Sequence, residues 1–152
     1  MFVKASVVPV LTLPAYVAKD CVGALLTFAI GAATNAAGTT ASAVIKRVQI
    51  SDAAIQDEAY SLHLFDASPA AAAKTDADEC VQVAADIAKK ICTYSIEAAD
   101  YLTYAGDSVV SYEKDTAIVY DGKNIYGVLE ATATPDYVAV DDLTVTLWVE
   151  LR

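Results

Sequence analysis

Histidine, cysteine and positive charge are all scarce in this chain, and each shortage narrows what it can do. One histidine, His63, stands among 152 residues. A zinc site draws on three or four His, Cys or carboxylate ligands at short spacing, which His63 with Cys21, Cys80 and Cys92 does not supply. The three cysteines form no CxxC pair, and their odd number argues against a disulfide framework. All three are expected to be reduced, half-buried fillers. Ten basic residues face twenty acidic ones, a formal charge of -10, which opposes docking on a phosphate backbone or an anionic bilayer. Nucleic acid is not an expected partner. Phosphate-cradling glycine motifs and a GxSxG nucleophile elbow are also missing. The longest apolar stretch, Val22 to Ala33, is broken by Gly23, Thr27 and Gly31 and falls short of the ~20 residues of a membrane span. Met1-Phe2-Val3-Lys4 passes straight into alternation, with no basic region ahead of an apolar one, so no signal peptide is expected. Synthesis in a reducing cytoplasm follows from that reading.

What is present is apolar and β-prone. Apolar residues make up 56% of the chain, with nine tyrosines against one tryptophan, a mixture suited to a β-rich domain. The length fits one domain over residues 1–152. In DLTVTLWVELR, Leu143, Val145, Leu147, Val149 and Leu151 alternate with Thr144, Thr146, Trp148 and Glu150. The leucine face belongs in a core, so Trp148 points away from it, toward a covering loop or a neighbouring subunit. Further strands are predicted at Phe2–Leu11, Val22–Ile30, Val44–Ile50, Ala59–Phe65, Cys92–Glu97, Val109–Tyr112, Thr116–Tyr120 and Ile125–Thr132. SDAAIQDE, YAGDS, YEKD and DGKN supply turn signals between them. Such a series predicts a mostly β, antiparallel sandwich, jelly-roll-like in arrangement.

One helix is predicted, over 77–90. Asp76 and Glu79 have capping-box spacing; Cys80, Ala84, Ile87, Ala88 and Ile91 form the stripe; Lys89 and Lys90 sit where the helix dipole favours cations. SPAAAAKT before it and GAATNAAGTTASA at 31–43 are predicted as exposed connections, the latter able to order on a partner.

YSLHLFDASP carries the residues most suggestive of catalysis. In a strand, Tyr60, Leu62 and Leu64 share one face while Ser61, His63 and Phe65 share the other, so His63 and Asp66 diverge rather than form a dyad. A hydrolase built on His63 is thus disfavoured against a turn at Asp66-Ala67-Ser68-Pro69. Asp76, Asp78 and Glu79 lack the glycine and terminal glutamate of a calcium loop, and Asp141 and Asp142 fit a solvated strand edge. No metal or cofactor is expected. Tyr94, Tyr101, Tyr104, Tyr112, Tyr120, Tyr126 and Tyr137 cluster in the second half, where they can pack a core, make subunit contacts or stack on glycans. The last possibility is a carbohydrate-binding or adhesion module.

Four stretches carry a family resemblance. Tyr16-Val17-Ala18-Lys19-Asp20-Cys21-Val22-Gly23 leads into Leu25-Leu26-Thr27-Phe28, and Leu62-His63-Leu64-Phe65-Asp66 is followed by Pro69. Ile125-Tyr126-Gly127 comes next, and Thr134-Pro135-Asp136-Tyr137 stands ahead of Asp142-Leu143. In this order the chain resembles the small head decoration, or cement, proteins of tailed bacteriophages, departing from them in the alanine-rich connection at 70–74 and a short C-terminus. The resemblance implies a non-enzymatic β-sandwich on the outer surface of the virion, a homotrimer whose partner is the major capsid protein. For such a protein the candidate contact residues in this chain are Phe2, Val3 and Lys4 at the capsid side and Trp148 or Tyr137 between protomers.

Overall fold

The structure, a computed structural model, describes residues 1–12, 15–31, 41–70, 75–121 and 123–152. Among these described residues, nine strands form two antiparallel sheets. β1 (Phe2–Val7), β9 (Leu143–Leu151), β3 (Ala41–Asp52), β7 (Asp107–Tyr120) and β6 (Leu102–Tyr104) lie side by side in that order in the first. β2 (Leu26–Ala29), β8 (Asn124–Ala131), β4 (Tyr60–Phe65) and β5 (Lys90–Ile96) make the second. Apart from the short β6, this is the strand order of a jelly roll: successive strands alternate between the sheets except β4 and β5, which pair with each other in the second.

Alternation decides which face is buried. In β9, Leu143, Val145, Leu147 and Val149 are fully buried, and they meet Leu26, Phe28, Leu62, Leu64 and Ile125 of the opposite sheet in one continuous core. Gly127 lies where a Cβ would come 2.9 Å from the Phe28 ring, so a side chain there would push against the core. Six tyrosines, Tyr16, Tyr60, Tyr94, Tyr101, Tyr120 and Tyr137, are also buried. Tyr60 and Tyr137 share a hydroxyl–hydroxyl hydrogen bond, and burial pushes both phenols well above their usual range.

The outer face of the second sheet is roofed rather than exposed. Phe65 and Val128 project from it into a smaller cluster with Cys21 and Cys80. These two cysteines form a disulfide across 59 residues, which corrects the expectation that all three are reduced; Cys92 alone is a free thiol. The bond pins 75–81 across 19–23, where Cys21 N–H donates to Asp78 O at 2.8 Å and Cys80 N–H to Lys19 O at 2.8 Å.

That crossing also shortens the helix predicted over 77–90, which forms but is confined to its second half. Asp76 and Glu79 form isolated bridges with Cys21 and Asp20, Ala77 has φ 60°, and only Ala84–Ile87 is helical before β5 begins at Lys90. The Asp76 carboxylate does not cap a helix. Its Oδ1 accepts from the Tyr16 hydroxyl at 2.7 Å and from Gly23 N–H at 2.5 Å. Gly23, at φ 74°, sits where a Cβ would meet Pro9 at 2.6 Å, so the site needs glycine on both counts.

Two strand predictions change as well. Val109–Tyr112 and Thr116–Tyr120 are one strand, and YEKD between them is a register shift rather than a turn. β6 was not predicted, and the YAGDS turn joins it to β7. The connection predicted at 31–43 falls largely outside the described residues, as does the core of SPAAAAKT at 71–74; Ala41–Ala43 already belong to β3.

Candidate functional site

The irregularity in β3 and β7 builds the candidate site. Pairing of β3 with β9 and with β7 shifts between Ile45 and Arg47, leaving Lys46 on one strand and Lys114 and Asp115 on the other outside the regular register. Extra residues at one level turn long charged side chains outward around Trp148. The result is an open groove of about 440 Å³ on the outer face of the first sheet, lined by Phe2, Lys46, Arg47, Glu113, Lys114, Asp115 and Trp148.

Trp148 is half-buried at the centre. Lys4 of β1 and Arg47 of β3 are its cross-strand partners on either side, and their cationic groups stand 5.2 and 5.3 Å from the ring centroid. Arg47 is also paired with Glu113, and Lys46 with Asp115 at 2.6 Å and Glu150 at 3.8 Å. No carboxylate among the described residues lies within ion-pair distance of Lys4 or Lys114. Phe2, 68% exposed, adds an apolar wall. Four of the chain's ten basic residues thus gather on one face of a strongly acidic molecule.

The residues predicted for separate contacts are therefore distributed differently. Phe2 and Lys4, expected at a capsid, and Trp148, expected between protomers, share one surface; Val3 turns inward against the core. Tyr137 is 2% exposed and bonded to Tyr60, so it packs inside its own protomer rather than on a face offered to another. Lys46, Arg47, Glu113, Lys114 and Asp115 were missed. For Glu113, Lys114 and Asp115 the only signal was YEKD, a charged break in an otherwise alternating run that reads equally well as a turn; for Lys46 and Arg47 it was a pair of adjacent cations inside the predicted strand Val44–Ile50.

His63 occupies the outer face of the second sheet and is 7% exposed. Its Nδ1 is 2.9 Å from the Thr93 hydroxyl on the neighbouring strand, and its Nε2 is 3.4 Å from the Glu130 carboxylate. Asp66 follows the strand, its N–H donating to Lys89 O at 2.9 Å. Burial pushes Glu130 above the usual carboxylate range. This setting holds a strand to its neighbours. Of the tyrosines weighed for glycan stacking, Tyr94, Tyr101, Tyr120 and Tyr137 are buried, Tyr112 and Tyr126 are half-buried and Tyr104 is exposed. Among the described residues no group of three or more His, Cys, Asp or Glu is placed to hold a metal, and no helix is long and apolar enough to cross a membrane.

No protein-family model matches the chain, and no curated protein is found to be similar to it.

Proposed function

We propose that the chain is a structural virion protein that acts by contact rather than catalysis. In this reading it decorates the outer surface of a tailed-phage capsid as a homotrimer and stabilises the contacts between major capsid protein subunits. The observation that carries the reading is the groove around Trp148. An exposed phenylalanine, a half-buried tryptophan flanked by two cations, and two further cations beside Glu113 and Asp115, gathered around one open groove, make a surface suited to a protein neighbour. Its parts stand on paired strands, so little order has to be gained on binding.

The jelly-roll framework and the sequence resemblance support the same reading. The strong negative charge of the remaining surface suits a position facing solvent on the outside of a shell and keeps the protein off packaged DNA. Three copies held together present each weak capsid contact three times, and the linkage raises the overall affinity without any single strong contact. The competing reading, a glycan-binding module stacking sugars on tyrosines, draws less support, because Tyr94, Tyr101, Tyr120 and Tyr137 are buried.

The clamping role is tested by heating DNA-filled shells with and without the protein. Decorated shells are expected to release DNA at a higher temperature; equal release temperatures would contradict the proposal.

A further inference from the structure

Leu143 opens β9, and immediately before it the chain displays a second unusual surface. In Asp136-Tyr137-Val138-Ala139-Val140-Asp141, Val138 is 80% exposed and Val140 53%, with Val10 beside them at 72%. Asp136 and Asp141, both exposed, bracket the two valines. Exposed valines are unremarkable on a loose loop, but this segment is fixed at every step. Pro135 O accepts from Tyr16 N–H at 2.9 Å, the Tyr137 hydroxyl is bonded to Tyr60, the Asp142 carboxylate accepts from Ala139 N–H at 2.9 Å, and Val140 O accepts from Leu11 N–H at 3.2 Å. The fold thus holds an apolar ridge with acidic shoulders out toward solvent, an arrangement that marks a contact surface.

Ridge and groove are complementary in chemistry. The groove offers Phe2 and Trp148 with the cations Lys4 and Lys114, for which the described residues of the same chain provide no carboxylate at ion-pair distance. The ridge offers two valines and two carboxylates, Asp136 and Asp141, that enter no ion pair among the described residues. One protomer cannot join the two. Trp148 pairs with Lys4 toward one end of the β1–β9 ladder, whereas the ridge lies beyond Leu143 at the other, and the five residue steps of strand from Leu143 to Trp148 span about 17 Å.

We infer that the ridge at 136–141 of one copy docks in the Trp148 groove of the next, with Val138 and Val140 against Phe2 and Trp148 and Asp136 and Asp141 against Lys4 and Lys114. The inference rests on the homotrimer of the proposed function and specifies its interface. Two different patches meeting head to tail form a heterologous contact, which closes into a ring when the rotation between copies allows, as in a trimer. The contact also gives each acidic protomer a route to self-association, since the basic face of one copy receives the acidic ridge of another.

Sedimentation velocity on the full chain tests this at micromolar concentration, with the β-sheet circular dichroism of each variant checked first. The wild type is expected to be oligomeric. Val138→Asp, and separately Lys4→Glu with Lys114→Glu, are expected to raise the concentration for half-assembly about tenfold or more. Combining Lys4→Glu and Lys114→Glu with Asp136→Lys and Asp141→Lys restores the charge match at every interface and is expected to recover the oligomer. A monomeric wild type overturns the inference, as does assembly unchanged in both the Val138 and the lysine variants, or a four-residue exchange that stays monomeric. Binding to undecorated shells is measured on the same samples. A wild type that assembles through these residues yet ignores shells contradicts the capsid reading and leaves the interface standing; a monomer that binds shells does the reverse.

Discussion

β9 and the crossing at 75–81 are both held against the sandwich, but by different means. β9 is hydrogen-bonded on both sides, to β1 and to β3, and buries every second side chain in the core. The crossing belongs to neither sheet. It is attached by two isolated bridge pairings, Glu79 with Asp20 and Asp76 with Cys21, two hydrogen bonds to the Asp76 carboxylate, and the Cys21–Cys80 disulfide. Stability in β9 is therefore distributed along a ladder, whereas in the crossing it rests on a few specific groups. A few groups can be removed one at a time, so the crossing is the place where the fold can open locally without dissolving.

Leu147→Ala is the substitution expected to do most damage. Leu147 is fully buried in the middle of β9, and deleting its branched end leaves a cavity between the sheets, costing about 2 to 5 kcal/mol of global stability in chemical denaturation. Reduction of Cys21–Cys80 is expected to cost about 2 to 4 kcal/mol, because the bond closes a long loop in the unfolded chain. The two losses should differ in kind. Limited trypsin digestion should cut the reduced protein first after Lys19, whose carbonyl accepts from Cys80 N–H in the crossing, while the strand ladders stay protected; equal protection of reduced and oxidised protein would erase the contrast.

The smallest effect concerns pH. Asp52, fully buried where β3 ends, has its carboxyl raised above the usual range by burial, although the N–H groups of Ala54, Gln56 and Asp57 all donate to it. With the folded value above the unfolded one, the native state binds more protons between the two, so this residue's contribution declines as pH rises from the ordinary carboxylate value through the folded one. Denaturation midpoints across that window should fall with rising pH through this group, and the slope should be shallower in Asp52→Asn.

The ladders were legible in the sequence where one face is buried and the pattern repeats. Leu143 to Leu151 announces β9, and the outward position of Trp148 follows from its parity. The crossing was not legible because its decisive partners are distant. Asp76 and Glu79 have capping-box spacing, but Asp76 bonds to Tyr16 and Gly23, and Cys80 to Cys21, contacts that no local period encodes. An odd cysteine count likewise hid a pair and a bystander, Cys92, whose thiol burial pushes up. The groove was half legible. Trp148 and Phe2 stood out by type and face, whereas Lys46, Arg47 and Lys114 reached it through a register shift, and a charged interruption such as YEKD has the composition of a turn.

The most direct test of the proposed role is co-sedimentation of the full chain with expanded, undecorated capsids of a tailed phage, with the pellet stoichiometry counted per capsid subunit. Saturable binding at a fixed ratio, lost when the shells are already decorated, is the predicted result. A chain that stays in the supernatant at every concentration, while binding immobilised glycans, would contradict the capsid reading and favour the adhesion module.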